Sequence, residues 1–318
     1  MSQPASDPRT VLPPGIVNLA DHETHAATHL EPGAWAYFNG AAADEITLAA
    51  NRHAWDRMGL LPRVLRPLAG GHTRVELLGR TLAHPILLAP MAYQRMAHPD
   101  GELGAAYAAA ALGAGMVLST QASTRLEAVA NAIRDDAGRG PLWFQLYLQH
   151  DRDFTRELVE RAERAGYEAL VLTVDAPCHG ARDRERRAGF RLPTGITAVN
   201  LLGMLPAPEV PLAPGQSALF DGLLHHAPTW ADVQWLQSIT RLPVLLKGVL
   251  HPDDAREATN LGVAGIIVSN HGGRTLDTTP ATATQLPHVV EAVRAVSAAM
   301  PVLVDGGIRR GTDVLKAM

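Results

Sequence analysis

Seven short apolar runs, each followed by a helical pattern, constrain the fold more than any other feature of this chain. The runs are apolar throughout, as expected of parallel strands whose two faces are both covered. We predict strands at Ile86–Pro90, Met116–Thr120, Leu142–Leu148, Ala169–Asp175, Val244–Val249, Gly265–Asn270 and Val302–Gly307. Helical patterns follow at 101–114, 124–135, 152–166, 230–239, 252–261, 281–299 and from 311 onward. This alternation predicts parallel βαβ units.

Two architectures are compatible with this alternation, an open doubly wound sheet and a closed (β/α)8 barrel. No predicted strand is followed by G-x-G-x-x-G at the start of a helix, which is the pattern of a dinucleotide-binding sheet. We therefore predict an α/β fold of the TIM barrel class. The pattern stops within the seventh helix, so we expect the eighth β/α unit to be missing from the chain.

The chain divides into two regions of different expected role. Residues 1–85 carry helical patterns near 18–30 and 44–58 and are predicted to form an N-terminal helical extension packed on the barrel. Residues 86–318 are predicted to form the barrel. A Pro- and Gly-rich interruption at 176–229 has the length typical of a lid loop. Its charge run, Arg182–Arg187, is interpreted as a solvated loop apart from Arg182 itself.

Composition excludes several classes of function. The formal net charge of −4 gives no reason to expect nucleic acid or an anionic membrane surface as a partner. Cys178 is the only cysteine, so an internal disulfide is excluded. His22, His25 and His29 lack the H-E-x-x-H pattern, and we predict no metal site. No signal peptide and no membrane-spanning apolar run is recognisable, so we predict a cytoplasmic protein.

The segment Ser269–Asp277, with the sequence SNHGGRTLD, is the strongest candidate for chemistry. It follows the apolar run Gly265–Val268, so His271 and Arg274 are expected where a strand ends and a loop begins. Parallel α/β proteins place their sites at that end of the strands. A histidine accepts a proton near neutral pH, and an arginine holds a carboxylate with two parallel hydrogen bonds.

The residues at the other strand ends form a convergent set, since in a barrel all of them surround one mouth. In strand order they are Pro90–Ala92, Ser119, Gln145 with Tyr147, Thr173 with Asp175, Lys247, Ser269 and Asp305–Arg309. The last segment combines a Gly-Gly turn with an arginine, and such a turn can hold a phosphate with backbone N–H groups and a cation.

A series of longer motifs occurs in order along the chain. They are YFNGAAADEITLAANR (37–52), LLAPMAYQRMAHPDGE (87–102), FQLY (144–147), LTVDAP (172–177), LLKGV (245–249), IIVSNHGGRTLD (266–277) and VDGGIRRGTDVLKA (304–317). The series resembles the FMN-dependent 2-hydroxy-acid oxidase and dehydrogenase family, which includes glycolate oxidase, lactate oxidase and mandelate dehydrogenase. The resemblance runs from about Tyr37 to the end of the sequence.

The resemblance implies a role for each candidate residue. His271 would be the catalytic base, oriented and charge-stabilised by Asp175. The substrate would be bound by Arg182 and Arg274, through its carboxylate, and by Tyr37 and Tyr147. The flavin would contact Pro90, Met91, Ala92, Ser119, Gln145, Thr173, Lys247 and Ser269, and its ribityl and phosphate groups would contact Asp305, Gly306, Gly307 and Arg309.

The implied reaction is the FMN-dependent oxidation of an L-2-hydroxy acid to the 2-oxo acid, with O2 reoxidising the flavin to give hydrogen peroxide. The alternatives are a dehydrogenase that passes electrons to a quinone or another acceptor, a lactate-monooxygenase-type reaction, a flavin-dependent isomerase, and a scaffold chain without activity. The family resemblance also implies a homotetramer. Thr275 replaces the family's usual Gln, and Gln121 replaces a Trp of glycolate oxidase. The resemblance therefore does not identify the side chain of the substrate.

Overall fold

The computed structural model describes residues 13–208 and 210–318. Residues 1–12 of the predicted N-terminal extension, and Glu209 of the 176–229 segment, lie outside the described residues. Three helices precede the main sheet: α1 (Leu19–His29), α2 (Pro32–Asn39) and α3 (Ile46–Arg57). An antiparallel hairpin of β1 (Val75–Leu77) and β2 (Arg80–Leu82) follows them. The sequence patterns predicted α1 and α3 but neither α2 nor the hairpin.

Seven parallel strands form one curled sheet in chain order. They are β3 (Leu87–Leu88), β4 (Gly115–Leu118), β5 (Leu142–Leu146), β6 (Leu170–Thr173), β7 (Val244–Val249), β8 (Gly265–Val268) and β9 (Val302–Val304). The helices after α3 are α4 (Gly101–Ala111), α5 (Leu126–Ala132), α6 (Arg152–Ala165), α7 (Asp183–Arg187), α8 (Trp230–Ile239), α9 (Pro252–Asn260), α10 (Thr282–Arg294) and α11 (Gly311–Ala317).

The strand order confirms the α/β fold of the barrel type. A doubly wound sheet reverses its strand order at a switch point, whereas here each strand from β3 to β9 pairs with its neighbours in sequence. In the described part of the chain, β3 and β9 are the two edges of this sheet. Most strands end earlier than predicted, and residues such as Asp175 and Asp305 lie just beyond the ends of β6 and β9.

The sheet separates two apolar clusters. Leu118, Phe144 and Leu172 belong to the larger cluster, in which one face of the sheet packs against the helices. The other face carries a smaller cluster, against which Leu77 and Leu78 of the hairpin pack. Its buried members are Val117, Trp143, Ala169, Val171, Leu245 and Ile267. The hairpin therefore covers part of the face that the helices leave open.

Asp277, the last residue of SNHGGRTLD, attaches α3 to the loop that carries His271. Its carboxylate accepts hydrogen bonds from the backbone N–H groups of Asp44, Ile46 and Thr47 at 3.1, 3.3 and 2.8 Å. The first N–H groups of a helix have no partner within the helix. Burial raises the pKa of Asp277, but these backbone hydrogen bonds outweigh burial and lower the pKa below its usual value.

We expect Asp277→Ala to lower the free energy of unfolding by about 2 kcal/mol, because it leaves backbone donors of α3 without acceptors. A carboxylate with a lowered folded-state pKa stabilises the fold above its unfolded pKa, and this contribution is lost as the pH falls through the folded pKa. Urea unfolding should therefore show that the substitution lowers the free energy of unfolding at neutral pH and that this loss shrinks below about pH 4. Asp277→Asn keeps an acceptor and should lose less. A loss that is independent of pH would contradict this assignment.

Two features are absent from the described residues. Within 13–208 and 210–318, no helix is both long and apolar enough to cross a membrane. The same residues contain no group of three His, Cys, Asp or Glu side chains arranged to hold a metal ion.

Candidate active site

The sheet face that carries the smaller apolar cluster becomes polar where the strands end. Side chains two residues apart on a strand share a face. Each of five cluster members is therefore followed, two positions later, by a polar residue of the same face. These polar residues are Ser119, Gln145, Thr173, Lys247 and Ser269, and all of them are buried. The period-two register thus brings the polar strand-end residues into one layer.

Hydrogen bonds connect this polar layer across neighbouring strands. The side chain of Gln145 accepts a hydrogen bond from the Ser119 hydroxyl at 3.3 Å and donates one to the Thr173 hydroxyl at 3.0 Å. The Lys247 ammonium donates to Ser269 Oγ at 2.9 Å and lies 3.2 Å from the Asp305 carboxylate. Asp305 Oδ1 is buried and accepts no hydrogen bond from the described residues. This layer therefore retains an acceptor for a polar ligand.

His271 and Asp175 form a hydrogen-bonded pair. Nδ1 of His271 lies 2.9 Å from Asp175 Oδ1. Because a carboxylate only accepts, Nδ1 carries a proton, and in the neutral imidazole Nε2 is left as the acceptor. Nε2 lies 3.4 Å from the Tyr147 hydroxyl. Burial and the Asp175 carboxylate raise the pKa of Tyr147 to about 12, so this phenol remains protonated at neutral pH.

Glycine makes room for the Asp175 carboxylate. Gly248 lies at an irregularity of β7 with φ at 112°, a backbone conformation that side-chain-bearing residues rarely adopt. A Cβ atom at Gly248 would lie 2.5 Å from the Asp175 Cβ atom. A larger residue at this position would therefore displace Asp175 from His271.

The backbone around His271 is in the left-handed region over three consecutive residues. The φ values are 57° at His271, 65° at Gly272 and 73° at Gly273. A histidine in this region carries strain that the surroundings must compensate. The side chains of Asn270 and Asn51 exchange two hydrogen bonds, at 2.8 and 2.9 Å, which fix the start of this turn to α3. The turn therefore has a defined position relative to the sheet.

Arg182 and Arg274 lie side by side and share one carboxylate. Glu185 Oε1 accepts a hydrogen bond from Arg274 Nη2 at 3.0 Å and one from Arg182 Nη1 at 3.2 Å. Nη1 of Arg274 donates to the backbone carbonyls of Tyr37 and Gly40, each at 2.5 Å. Nε of Arg182 is buried and has no partner among the described residues. Burial, and then the charge of Arg182, lower the pKa of Arg274.

Tyr37 lies beside the two arginines. The Arg274 guanidinium carbon is 4.8 Å from the centroid of the Tyr37 ring, a cation–π arrangement. Phe190 stacks on Tyr37 with the two ring centroids 5.0 Å apart. Burial raises the pKa of Tyr37 to about 12, so its hydroxyl is neutral and able to donate a hydrogen bond.

A single cleft of about 2650 Å³ brings nearly all the predicted site residues together. Asp175 and Ser269 are the exceptions. Asp175 is hydrogen-bonded to the cleft residue His271, and Ser269 to the cleft residue Lys247. The cleft is lined by Tyr37, Pro90, Met91, Ala92, Ser119, Gln145, Tyr147, Thr173, Arg182, Lys247, His271, Arg274, Asp305, Gly306, Gly307 and Arg309. Gln121 and Thr275 also line it. The structure thus brings these residues to one place, while their individual roles stay predictions.

Glu185 is a residue of this site that the sequence patterns did not single out. The interpretation of the charge run as a solvated loop was wrong in part: residues 183–187 form α7 and the Glu185 side chain is only 15% exposed, whereas the Arg186 and Arg187 side chains are exposed as expected. The available signal was the spacing of three residues between Arg182 and Glu185, which places both side chains on one face of a helical turn. The contact with Arg274, 89 residues away, had no signal in the sequence.

Comparison with known proteins confirms the resemblance. Residues 26–318 match the FMN-dependent dehydrogenase family. The chain is 48% identical over 314 residues to L-lactate oxidase of Alicycliphilus denitrificans, covering 98% of this chain and 83% of that protein. It is 42% identical over 304 residues to glycolate oxidase 3 of Arabidopsis thaliana, covering 95% and 80%. A solved structure of mandelate oxidase with (S)-2-phenylpropionate has a TM-score of 0.82 and 41% identity, covering 95% and 81%. The chain therefore belongs to the FMN-dependent dehydrogenase family.

Proposed function

We propose that this protein oxidises an L-2-hydroxy acid to the 2-oxo acid, with FMN as cofactor and O2 as the final electron acceptor, giving hydrogen peroxide. One observation carries the proposal: a His–Asp pair and two arginines line or adjoin the same cleft at the ends of parallel strands. The relatives named as lactate, glycolate and mandelate oxidases support O2 as the acceptor.

The residues at the strand ends fit FMN. Ser119, Gln145 and Thr173 present amide and hydroxyl groups in one buried layer, and Lys247 adds a buried cation. The unpartnered Oδ1 of Asp305 suits a ribityl hydroxyl as donor. We propose that the FMN is held by Pro90, Met91, Ala92, Ser119, Gln145, Thr173, Lys247, Ser269, Asp305, Gly306, Gly307 and Arg309. When bound, FMN supplies the two-electron acceptor that side chains lack.

The protein's own groups would bind the substrate and remove its proton. Arg182, through its unpartnered Nε, and Arg274 would hold the substrate carboxylate. Nε2 of His271 would accept the proton that the substrate loses, and the Asp175 carboxylate would stabilise the imidazolium that forms. Tyr37 and Tyr147, both neutral, would donate hydrogen bonds to the substrate oxygens.

A panel of small, aliphatic and aromatic 2-hydroxy acids tests this function. We expect the purified protein to contain a bound flavin whose visible absorption band is bleached anaerobically by at least one L-2-hydroxy acid. Admission of O2 should restore the band and release hydrogen peroxide. Absence of FMN, or a band that no acid bleaches, would refute the proposal. Recovery only with a quinone would indicate a dehydrogenase, and release of CO2 a monooxygenase-type reaction.

Two residues of the cleft bear on which side chain the substrate carries. Gln121 and Thr275 line the cleft, and they differ from the family pattern at positions expected to shape the pocket. We further propose a homotetramer, on the family resemblance, and a location in the cytoplasm. Light scattering of the protein with FMN bound would contradict the tetramer if it gave the mass of one or two chains.

A further inference from the structure

We propose that Glu185 sets the net charge of the arginine clamp and thereby selects substrates with one carboxylate over 2-hydroxy dicarboxylates. The arginine clamp consists of Arg182, Arg274 and Glu185. This inference rests on the proposed function, because it concerns the site where the substrate carboxylate would bind. Glu185 does not have to touch the substrate to act in this way, so it is a positioning and specificity-determining residue.

The clamp is a closely coupled group of three charges. The side chains of Arg182 and Arg274 are each 17% exposed, and that of Glu185 is 15% exposed. One oxygen of Glu185 accepts hydrogen bonds from both guanidinium groups. Two cations and one anion leave a net charge of one positive unit, which a single substrate carboxylate neutralises.

Several other charged groups in or near the cleft are paired with each other. Asp175 is hydrogen-bonded to His271, and Lys247 lies against Asp305. Arg184, on the same helix as Glu185, is paired with Glu45. Arg191 and Arg310 also line the cleft and have no ion pair among the described residues, but Arg182 and Arg274 are the cations that share the Glu185 carboxylate. The charge of the clamp therefore decides how many substrate carboxylates the clamp itself can neutralise.

A second carboxylate on the substrate would have no cation left to pair with inside the arginine clamp. An unpaired charge that binding removes from water is costly, and the negative charge of Glu185 would repel it further. Arg274 already directs Nη1 to the carbonyls of Tyr37 and Gly40. The unpartnered Nε of Arg182 is the donor that remains buried and free, which suits one carboxylate rather than two.

The test compares L-malate with its distal monoamide, which has the same shape and one charge less. Dissociation constants for the oxidised holoprotein are measured from the change in the flavin absorption spectrum under conditions without turnover, with kcat and KM measured separately. The wild-type protein should bind the monoamide about tenfold more tightly than malate. Glu185→Gln should lower this preference for the monoamide about tenfold and so remove most of it. We expect the substitution to change KM rather than kcat.

Two further variants separate charge from structure. Asp183→Asn removes the same unit charge from α7, but its carboxylate is paired with Arg186 and Arg187 at 3.7 Å, so we expect the wild-type preference to persist. Glu185→Asp keeps the charge, and it should keep the preference even if kcat falls. This second variant also tests the proposal if Glu185→Gln fails to bind FMN, since loss of the preference in Glu185→Asp would contradict a charge effect.

Several results would overturn the inference. Equal preferences in wild type and Glu185→Gln would show that Glu185 only orients the arginines. If neither malate nor its monoamide bound to any variant, size rather than charge would exclude dicarboxylates, and the proposal would be wrong. Failure of the proposed function itself looks different, because then no monocarboxylic 2-hydroxy acid would bleach the flavin of the wild-type protein.

Discussion

Replacement of His271 by Ala should slow flavin reduction by about 10²–10⁴-fold, the usual contribution of a general base. The structure leaves Nε2 of His271 as the proton acceptor, because Nδ1 donates to Asp175. FMN should stay bound, since His271 makes no hydrogen bond to the Lys247–Asp305 pair that is proposed to contact the cofactor. Anaerobic stopped-flow absorption with a saturating 2-hydroxy acid measures the rate.

His98 provides a matched control for this experiment. It also lies near an aspartate, with Nδ1 3.6 Å from Asp100, but its side chain is 53% exposed and does not line the cleft. His98→Ala should therefore leave flavin reduction unchanged. An unchanged rate in His271→Ala would remove His271 from the role of base. Loss of FMN from His271→Ala would show instead that this residue supports the cofactor site.

Arg274→Lys is expected to lower kcat/KM by about 10²–10³-fold, within the range for removing one partner of a buried charged pair. A guanidinium presents five donors in a fixed plane, whereas an ammonium is a compact point charge. Arg274 uses its donors for Glu185 and for the carbonyls of Tyr37 and Gly40. A lysine cannot satisfy these three acceptors and also hold a substrate carboxylate. We expect most of the effect in KM, measured by steady-state kinetics.

Arg184→Lys is the control for this substitution. Arg184 pairs with Glu45 and donates to the Asn39 carbonyl, so it also attaches α7 to the N-terminal helices, but it does not line the cleft. Its replacement should leave KM nearly unchanged. If Arg274→Lys lost FMN while the affinity for the substrate stayed the same, Arg274 would belong to the cofactor site and not to the carboxylate site.

The fold class was predictable because its signal is local. Buried parallel strands require apolar runs, and helices that cover them require a different period, so the alternation is visible in the sequence. The bounds of β7 and α8 were predicted without error. The other parallel strands were predicted to end two or three residues too late, and most of the extra residues are polar or glycine, as at 269–270 and 305–307. The proposed division into an extension at 1–85 and a barrel at 86–318 stays a prediction.

The strand-end residues were predictable for the same reason. Once the strands are placed, the period of two puts Ser119, Gln145, Thr173, Lys247 and Ser269 on one face. The sequence also contained the motif with His271 and Arg274, and the family resemblance has been confirmed by comparison. It could not show that Asn51 bonds Asn270 or that Asp277 binds the N-terminus of α3, since these partners are more than two hundred residues apart, at separations of 219 and 230.

The sequence by itself determined the fold class, the family and the set of residues near the strand ends. Only the tertiary structure decided which of these residues form ion pairs and hydrogen bonds with each other. It brings α7 and the C-terminal end of α2 to the loop after β8, where Glu185, Tyr37 and Gly40 all accept hydrogen bonds from Arg274. Sequence patterns report the neighbours of a residue along the chain, whereas ion pairs depend on distances in space that packing alone fixes.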